Sequence, residues 1–348
     1  MAAPLDGRVA VVAGATRGAG RGIARMLGEA GAIVYCTGRS SRTQPNTTDH
    51  HYAGRPETIE ETAELVAAAG GEGIPVRVDH HVERDVAALF ARVRRERRRL
   101  DVLVNILTGR PVASWSAFWK QPLDAGRSFV DSWIWPHIVT AWHAAPIMAK
   151  QKSGLIVEVV EQPGIQYHGQ FFFDLMEASL KRIAYGLAVE LTPHNATALA
   201  VTPGFMRTEA ILEGFGVTER TWRDAIEHPK AKGFGWAGSE TPCFIGRGVA
   251  ALAADPQLME HSGQLLSSWE LGRRYRVTDA DGRRPDWGRI AIDCSGLPPW
   301  MLELFRDGSA MQIAWLGDVR RRTQSFLRQI TDGEKKRPAR KRRPVQRS

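Results

Sequence analysis

The chain has 348 residues, of which 43% are hydrophobic and 24% charged, the composition of a globular protein able to bury one large core plus an extension. Three cysteines, Cys36, Cys243 and Cys294, are odd in number and far apart, which argues against a disulfide framework or a zinc motif and fits a reducing, cytoplasmic setting. The formal charge of +9 is concentrated toward one end, where Glu334 to Ser348 reads EKKRPARKRRPVQRS. With little apolar to bury and no interleaved aromatics, that stretch is expected to be a disordered, solubilising tail, and nucleic acid is not the expected partner.

The opening, MAAPLDGRVAVV, shows no charged leader followed by an apolar core, and no window offers about 18 uninterrupted apolar residues, so neither secretion nor a membrane span is expected. Arg8 to Ala13 (RVAVVA) is a short β-branched strand that meets a glycine and leads into a helical pattern from Gly18 to Ala30. Further strands are expected at Ala32–Thr37, Ile74–Val78, Asp101–Asn105, Gly154–Val160, Thr197–Thr202 and Gly263–Ser268, with helix-length segments between them. Near-continuous apolar strands alternating with helices predict an α/β, Rossmann-type doubly wound parallel sheet, with a ligand crevice at the strand C-terminal ends.

Arg92 to Arg99 (RVRRERRR) falls late in an amphipathic helix and reads as a solvated face. Thr108 to Leu123 and Phe205 to Glu240 are long and rich in Trp, Phe, Gly and Pro, as substrate-covering loops are, and the 205–240 stretch is the expected lid. The expected organisation is a single main dinucleotide-binding domain over residues 1–285, a C-terminal amphipathic helical extension over 286–330 and the basic tail over 331–348.

The segment Gly14-Ala15-Thr16-Arg17-Gly18-Ala19-Gly20 follows the first strand and opens a helix, the context in which a glycine pattern signals a dinucleotide pyrophosphate. Gly14 permits the tight turn, and Gly18 and Gly20 let backbone approach an anion over the helix N-terminus. After the second strand the chain reads Thr37-Gly38-Arg39-Ser40, where a NAD-selecting fold places an acidic residue for the ribose 2′-hydroxyl. Arg39, with Arg17 in the glycine loop, can pair with a 2′-phosphate instead, so NADP (as NADPH) is the expected cofactor.

The glycine loop, Asp79 after the third strand, Asn105 at the fourth, and Pro203-Gly204 with Thr208 after the sixth resemble the cofactor-binding pattern of the short-chain dehydrogenase/reductase family. The likeness runs from residue 5 to about 285. Within the family, segments such as YCTGR, LDVLVN, GLIVEVV and LGRRYRVTDADGRR resemble the dehydrogenase/reductase member 1 branch and its bacterial relatives. The resemblance implies that Asp79 contacts the adenine, Asn105 braces the sheet beneath it and Thr208 holds the carboxamide or pyrophosphate. It also implies a small-molecule substrate and a homo-oligomer built through the helices that hold Ala141 and Leu187. Two departures stand in the shell: Ala13 replaces the usual Thr, and Ile106-Leu107 replace Asn-Ala.

Carbonyl reduction in this family uses a Tyr with a Lys four residues on, sharing one helix face. The five tyrosines, Tyr35, Tyr52, Tyr167, Tyr185 and Tyr275, are followed four residues later by Arg39, Pro56, Phe171, Val189 and Asp279. None is lysine. Counting back from Ala184 to Leu191, the family's Tyr falls on Phe173 and its Lys on Glu177; its Ser falls on Glu161 and its Asn on Asp131. All four positions of a degenerate catalytic tetrad are thus replaced. Asp131, Glu161 and Glu177 are expected to converge, with Phe173, where a substrate meets the nicotinamide.

Three readings follow from such a site. Reduction of an iminium or other cationic substrate needs no strong acid and is helped by neighbouring carboxylates. A non-redox isomerisation, dehydration or cyclisation would use Glu161 or Glu177 to shuttle protons. An inactive homologue would bind NADP alone. Lys181, Tyr167 and His168 are candidate substitutes for the missing groups, with plain structural use favoured, and the pairs His50-His51 and His80-His81 lack metal-ligand spacing.

Overall fold

The computed structural model describes residues 3–45, 52, 54–112, 114, 116–161, 170–228 and 235–289. By its internal contacts the chain divides into Met1–Pro163 with Tyr167–Ile290, and separately Gly164–Gln166 with Ala291–Ser348. The second unit lies outside the described residues, and so do the basic tail, nearly all of the expected helical extension, and the candidates Tyr167, His168, His50 and His51.

Seven strands form one sheet: β1 (Val9–Ala13), β2 (Ile33–Gly38), β3 (Glu72–Arg77), β4 (Val102–Asn105), β5 (Leu155–Val159), β6 (Thr197–Thr202) and β7 (Leu265–Ser267). Their order is β3-β2-β1-β4-β5-β6-β7, and every pairing is parallel. Each expected strand is present. Alternate side chains explain why the strands are apolar on both faces. Ala10 and Val12 join a core with Ile23, Leu27, Ile245 and Val249, while Val9 and Val11 join another with Leu89, Phe90, Val139 and Met148.

The helices that cover the sheet are α1 (Gly18–Glu29), α2 (Ile59–Ala68), α3 (Glu83–Arg97), α4 (Leu123–Gln151), α5 (Phe171–Leu191), α6 (Glu209–Gly214), α7 (Pro242–Ala253) and α8 (Ser268–Arg274). Their ends follow local chemistry. Thr58 caps α2 by accepting from the Glu61 N–H, Gln170 caps α5 through Phe173 N–H, and Ser267 with Glu270 closes a capping box on α8. The basic run sits at the C-terminal end of α3, where Arg94 and Arg95 are exposed and Arg92 reaches Glu96 at 2.8 Å, the solvated face expected of it. Among the described residues no helix is long and apolar enough to cross a membrane.

The chain reverses its strand order between β1 and β4, and the strand C-terminal ends there open into a cleft.

Candidate active site

The cleft encloses about 510 Å³, within the range of cofactor and small-ligand sites. Its walls come from the ends of β1, β2, β4, β5 and β6 and from the start of α6. Gly14, Arg17, Gly18, Arg39, Asp79, Glu161, Glu177, Pro203, Gly204 and Thr208 all line it. Ten of the residues singled out from the sequence are therefore brought together, although they span almost two hundred positions.

The glycine loop is built for close approach. Gly14 has φ +94, and a Cβ there would lie 2.1 Å from the carbonyl oxygen of Ile106; a Cβ on Gly20 would lie 2.1 Å from the carbonyl oxygen of Gly14. Any side chain at either position would push the strand, loop and helix apart. Gly20 thus acts in the packing behind the loop, and it is not among the residues that line the cleft.

The Arg17 guanidinium lies over the Tyr52 ring at 4.8 Å and reaches Glu57 at 3.2 Å, while its Nη2 is buried without a hydrogen-bond partner. An orphaned guanidinium nitrogen at the cleft wall is a donor that an anionic ligand would satisfy. Arg39 is half-buried on the same cleft. Asp79 accepts from His81, backbone and ring, and that hydrogen bonding holds its carboxyl down at about 2. The turn geometry, the α1 N-terminus and the orphaned nitrogen fit a dinucleotide.

Asn105 stands one layer below. It is fully buried at the end of β4, and its amide donates to Glu158 Oε1 at 2.7 Å and to the His137 carbonyl at 3.3 Å. Glu158 is also held by His137 Nδ1 at 2.5 Å, and His137 Nε2 reaches the Leu107 carbonyl at 3.1 Å. Leu107 lines the cleft, so this buried network supports its wall from behind.

At the other end, the backbone N–H of Glu161 donates to Glu177 Oε1 at 3.1 Å, and Lys181 Nζ approaches Glu177 Oε2 at 3.6 Å. Glu177 is 2% exposed. Burial pulls Lys181 below its ordinary range against the opposing effect of Glu177. The Glu161 carboxyl is pushed up to about 7, by desolvation first and by the Glu177 charge second. Its side chain is nonetheless open to the water of the cleft, which argues for a smaller upward shift than full burial would give. The direction stands, because the neighbouring negative charge acts in the same sense.

Two of the four tetrad positions lie elsewhere. Asp131 does not converge with Glu161 and Glu177: its side chain is 69% exposed on α4, 3.7 Å from Arg127, and lines a separate surface hollow. The face of α4 that turns inward carries Ser132 instead, whose hydroxyl accepts from the Arg110 N–H. Phe173 is half-buried and packs on the apolar group of Phe129, Val160, Met176 and Leu180 rather than lining the cleft. In the first turn of α5 its ring is drawn by that cluster, while Met176 and Glu177, one turn on, face the cleft.

Sequence reasoning missed Glu158, His137 and Glu209. A signal for Glu158 was present: an acid inside GLIVEVV, an otherwise apolar strand, requires a buried partner. The partner, 21 residues earlier on α4, had no local mark.

The fold and the glycine-loop cleft are those of a dinucleotide-binding oxidoreductase, and comparison with known proteins gives the same class. The family model described as short chain dehydrogenase matches residues 8–213. The human protein called dehydrogenase/reductase SDR family member 1 is 35% identical over 295 residues, which cover 81% of this chain and 86% of that protein. Its mouse counterpart is 34% identical over 288 residues with the same coverage. Among solved structures, a short chain dehydrogenase from Mycobacterium thermoresistibile superposes with a TM-score of 0.63 at 19% identity, over 82% of this chain and 92% of that one. The chain belongs to the short-chain dehydrogenase/reductase family.

Proposed function

We propose that the protein is an NADP-dependent oxidoreductase of a small organic molecule, with an iminium or otherwise cationic carbon as the group it reduces. The observation that carries this reading is the pairing of Glu161 and Glu177 at the cleft wall, at positions onto which the family resemblance carries the Ser and the Lys. A bound NADPH would supply hydride. Arg17 and Arg39 would hold its 2′-phosphate, since the residues after β2 include no acid to bind a 2′-hydroxyl. Asp79 would meet the adenine, the α1 N-terminus the pyrophosphate, and Pro203, Gly204 and Thr208 the nicotinamide end. The Glu161 carboxylate would stabilise positive charge on the substrate, and Glu177, neutralised in part by Lys181, would hold the Glu161 backbone in place.

Calorimetric titration with NADPH and NADH, followed by turnover on ketones, enones and cyclic iminium ions, tests this. NADPH is expected to bind, Arg39→Ala to weaken it by about tenfold or more through loss of a charge-assisted pair, and turnover to be confined to the cationic substrates. Turnover of simple ketones sinks the iminium reading. Binding without any reduction would favour a non-redox or inactive homologue, and no binding removes the oxidoreductase reading.

The same reading includes a homo-oligomer through α4 and α5. Trp135, Trp142, Tyr185 and Val189 are between 48% and 64% exposed on these helices, an apolar surface of the kind that marks an interface. Trp142→Glu with Val189→Glu is expected to reduce the mass seen by light scattering to that of one chain; a wild type that is already monomeric rules the interface out.

A further inference from the structure

Helix α1 has no cap of its own. Arg17 makes no side-chain capping bond, and the first turn contains no acidic residue, so its leading N–H groups lack a local acceptor. One arrives from far along the chain. Glu209, the first residue of α6, accepts from the Gly18 N–H at 2.8 Å through Oε2, and its Oε1 lies 3.8 Å from Arg21 Nε. The Glu209 carboxylate is thus an anion seated at the positive end of α1.

The helix that carries it buries no residue fully, and its Ile211 and Leu212 pack half-buried against the cluster of Trp222 and Trp236. Its other fixed point on this side is again a carboxylate, Glu213, which reaches Arg55 Nη1 at 2.6 Å. The tie of α6 to the glycine loop and the start of α1 is the Glu209 carboxylate, on the Gly18 N–H and near Arg21. A dinucleotide pyrophosphate would seek that same Gly18 N–H. Two anions cannot share this donor without mutual repulsion across a few ångströms.

We propose that Glu209 is a built-in competitor for the pyrophosphate site, a carboxylate latch that holds α6 across the glycine loop in the free protein and yields the Gly18 N–H when cofactor enters. The inference rests on the NADP reading above. It makes cofactor affinity weaker than the donors of the loop alone would give, because entry of the pyrophosphate first breaks the Glu209 contact.

The test is calorimetric titration of the full chain and of Glu209→Ala and Glu209→Gln with NADPH and, separately, with adenosine 2′-monophosphate, which has no pyrophosphate. Glu209→Ala is expected to tighten NADPH by about tenfold, and Glu209→Gln, which keeps a neutral acceptor, to tighten it less. Adenosine 2′-monophosphate is expected to bind all three alike. Binding of NADPH to the variants but not to the wild type also supports the latch. Unchanged or weakened NADPH binding in both variants, with wild-type binding intact, overturns the latch and leaves the cofactor reading standing. Equal tightening of adenosine 2′-monophosphate overturns it as well, since a general charge effect then explains the gain. Failure of all three proteins to bind NADPH overturns both readings together.

Discussion

Glu161→Gln is expected to slow turnover of a cationic substrate by about a hundredfold or more at pH 8, the scale of a lost electrostatic or proton-transferring group, while the NADPH dissociation constant stays within about twofold. The amide keeps the shape of the side chain and removes its charge. The pH profile separates the roles that Glu161 could play. Its carboxyl is raised above the usual carboxylate range by desolvation and by the Glu177 charge, so a carboxylate that stabilises a cation gives a rate that rises as pH increases through the raised value. A carboxylic acid that donates a proton gives a rate that falls over the same range. A wild-type rate that is flat between pH 6 and pH 8 removes Glu161 from the chemistry.

The same shift has a consequence for stability, with the sign opposite to that of an ion-paired acid. A carboxyl whose folded-state pKa is raised favours the folded protein when protonated. That contribution is present at pH below the ordinary carboxylate range of the unfolded chain and is lost as pH rises through the raised folded-state value. Glu161→Gln is therefore expected to raise the melting temperature above pH 7 and to leave it little changed near pH 4. Loss of activity with gained stability is the pattern of a functional group kept at a structural cost.

His137→Leu is expected to be the most damaging of the conservative changes to the fold. His137 and Glu158 are 1% and 0% exposed and meet at 2.5 Å, and both ring nitrogens of His137 face acceptors, Glu158 and the Leu107 carbonyl. The ring is thus hydrogen-bonded from both of its nitrogens. Removing it strands the Glu158 carboxylate with only the Asn105 amide. Breaking a buried pair from one side costs about 3–5 kcal/mol, which for a domain of this size lowers the melting temperature by about 10 °C. The double change His137→Leu with Glu158→Val removes both polar partners and is expected to recover much of the loss, since a buried polar pair itself adds little over apolar packing. Thermal melts of the two variants decide it. Equal melting temperatures for His137→Leu and the wild type would show that the pair bears no such role.

Much of this protein was legible along the chain. The seven strands and the helices between them are visible because apolar runs and their periodicity act over a few residues. The glycine loop is legible for a related reason: at Gly14 and Gly20 a Cβ would strike backbone at 2.1 Å, and only one residue type meets that demand. The acids were harder. Glu161 follows an apolar strand directly, and its place at the strand end puts it in the crevice. Asp131 and Phe173 lie on helices, where a register difference of one residue turns a side chain by about 100°. Counting from a distant landmark could not tell Asp131 from Ser132.

What local pattern settled, then, is the parallel α/β sheet, the side of it that opens into the cleft, and the glycine loop, because each follows from short-range sterics and burial. What only the assembled fold settled is which side chains share the cleft. Glu161 next to Glu177, His137 against Glu158, and Glu209 on Gly18 are contacts between residues 16, 21 and 191 positions apart. Such pairs form because the packing of helices on the sheet brings them within hydrogen-bond reach in a setting where burial makes charge costly to leave alone. No window of sequence contains both members with that geometry.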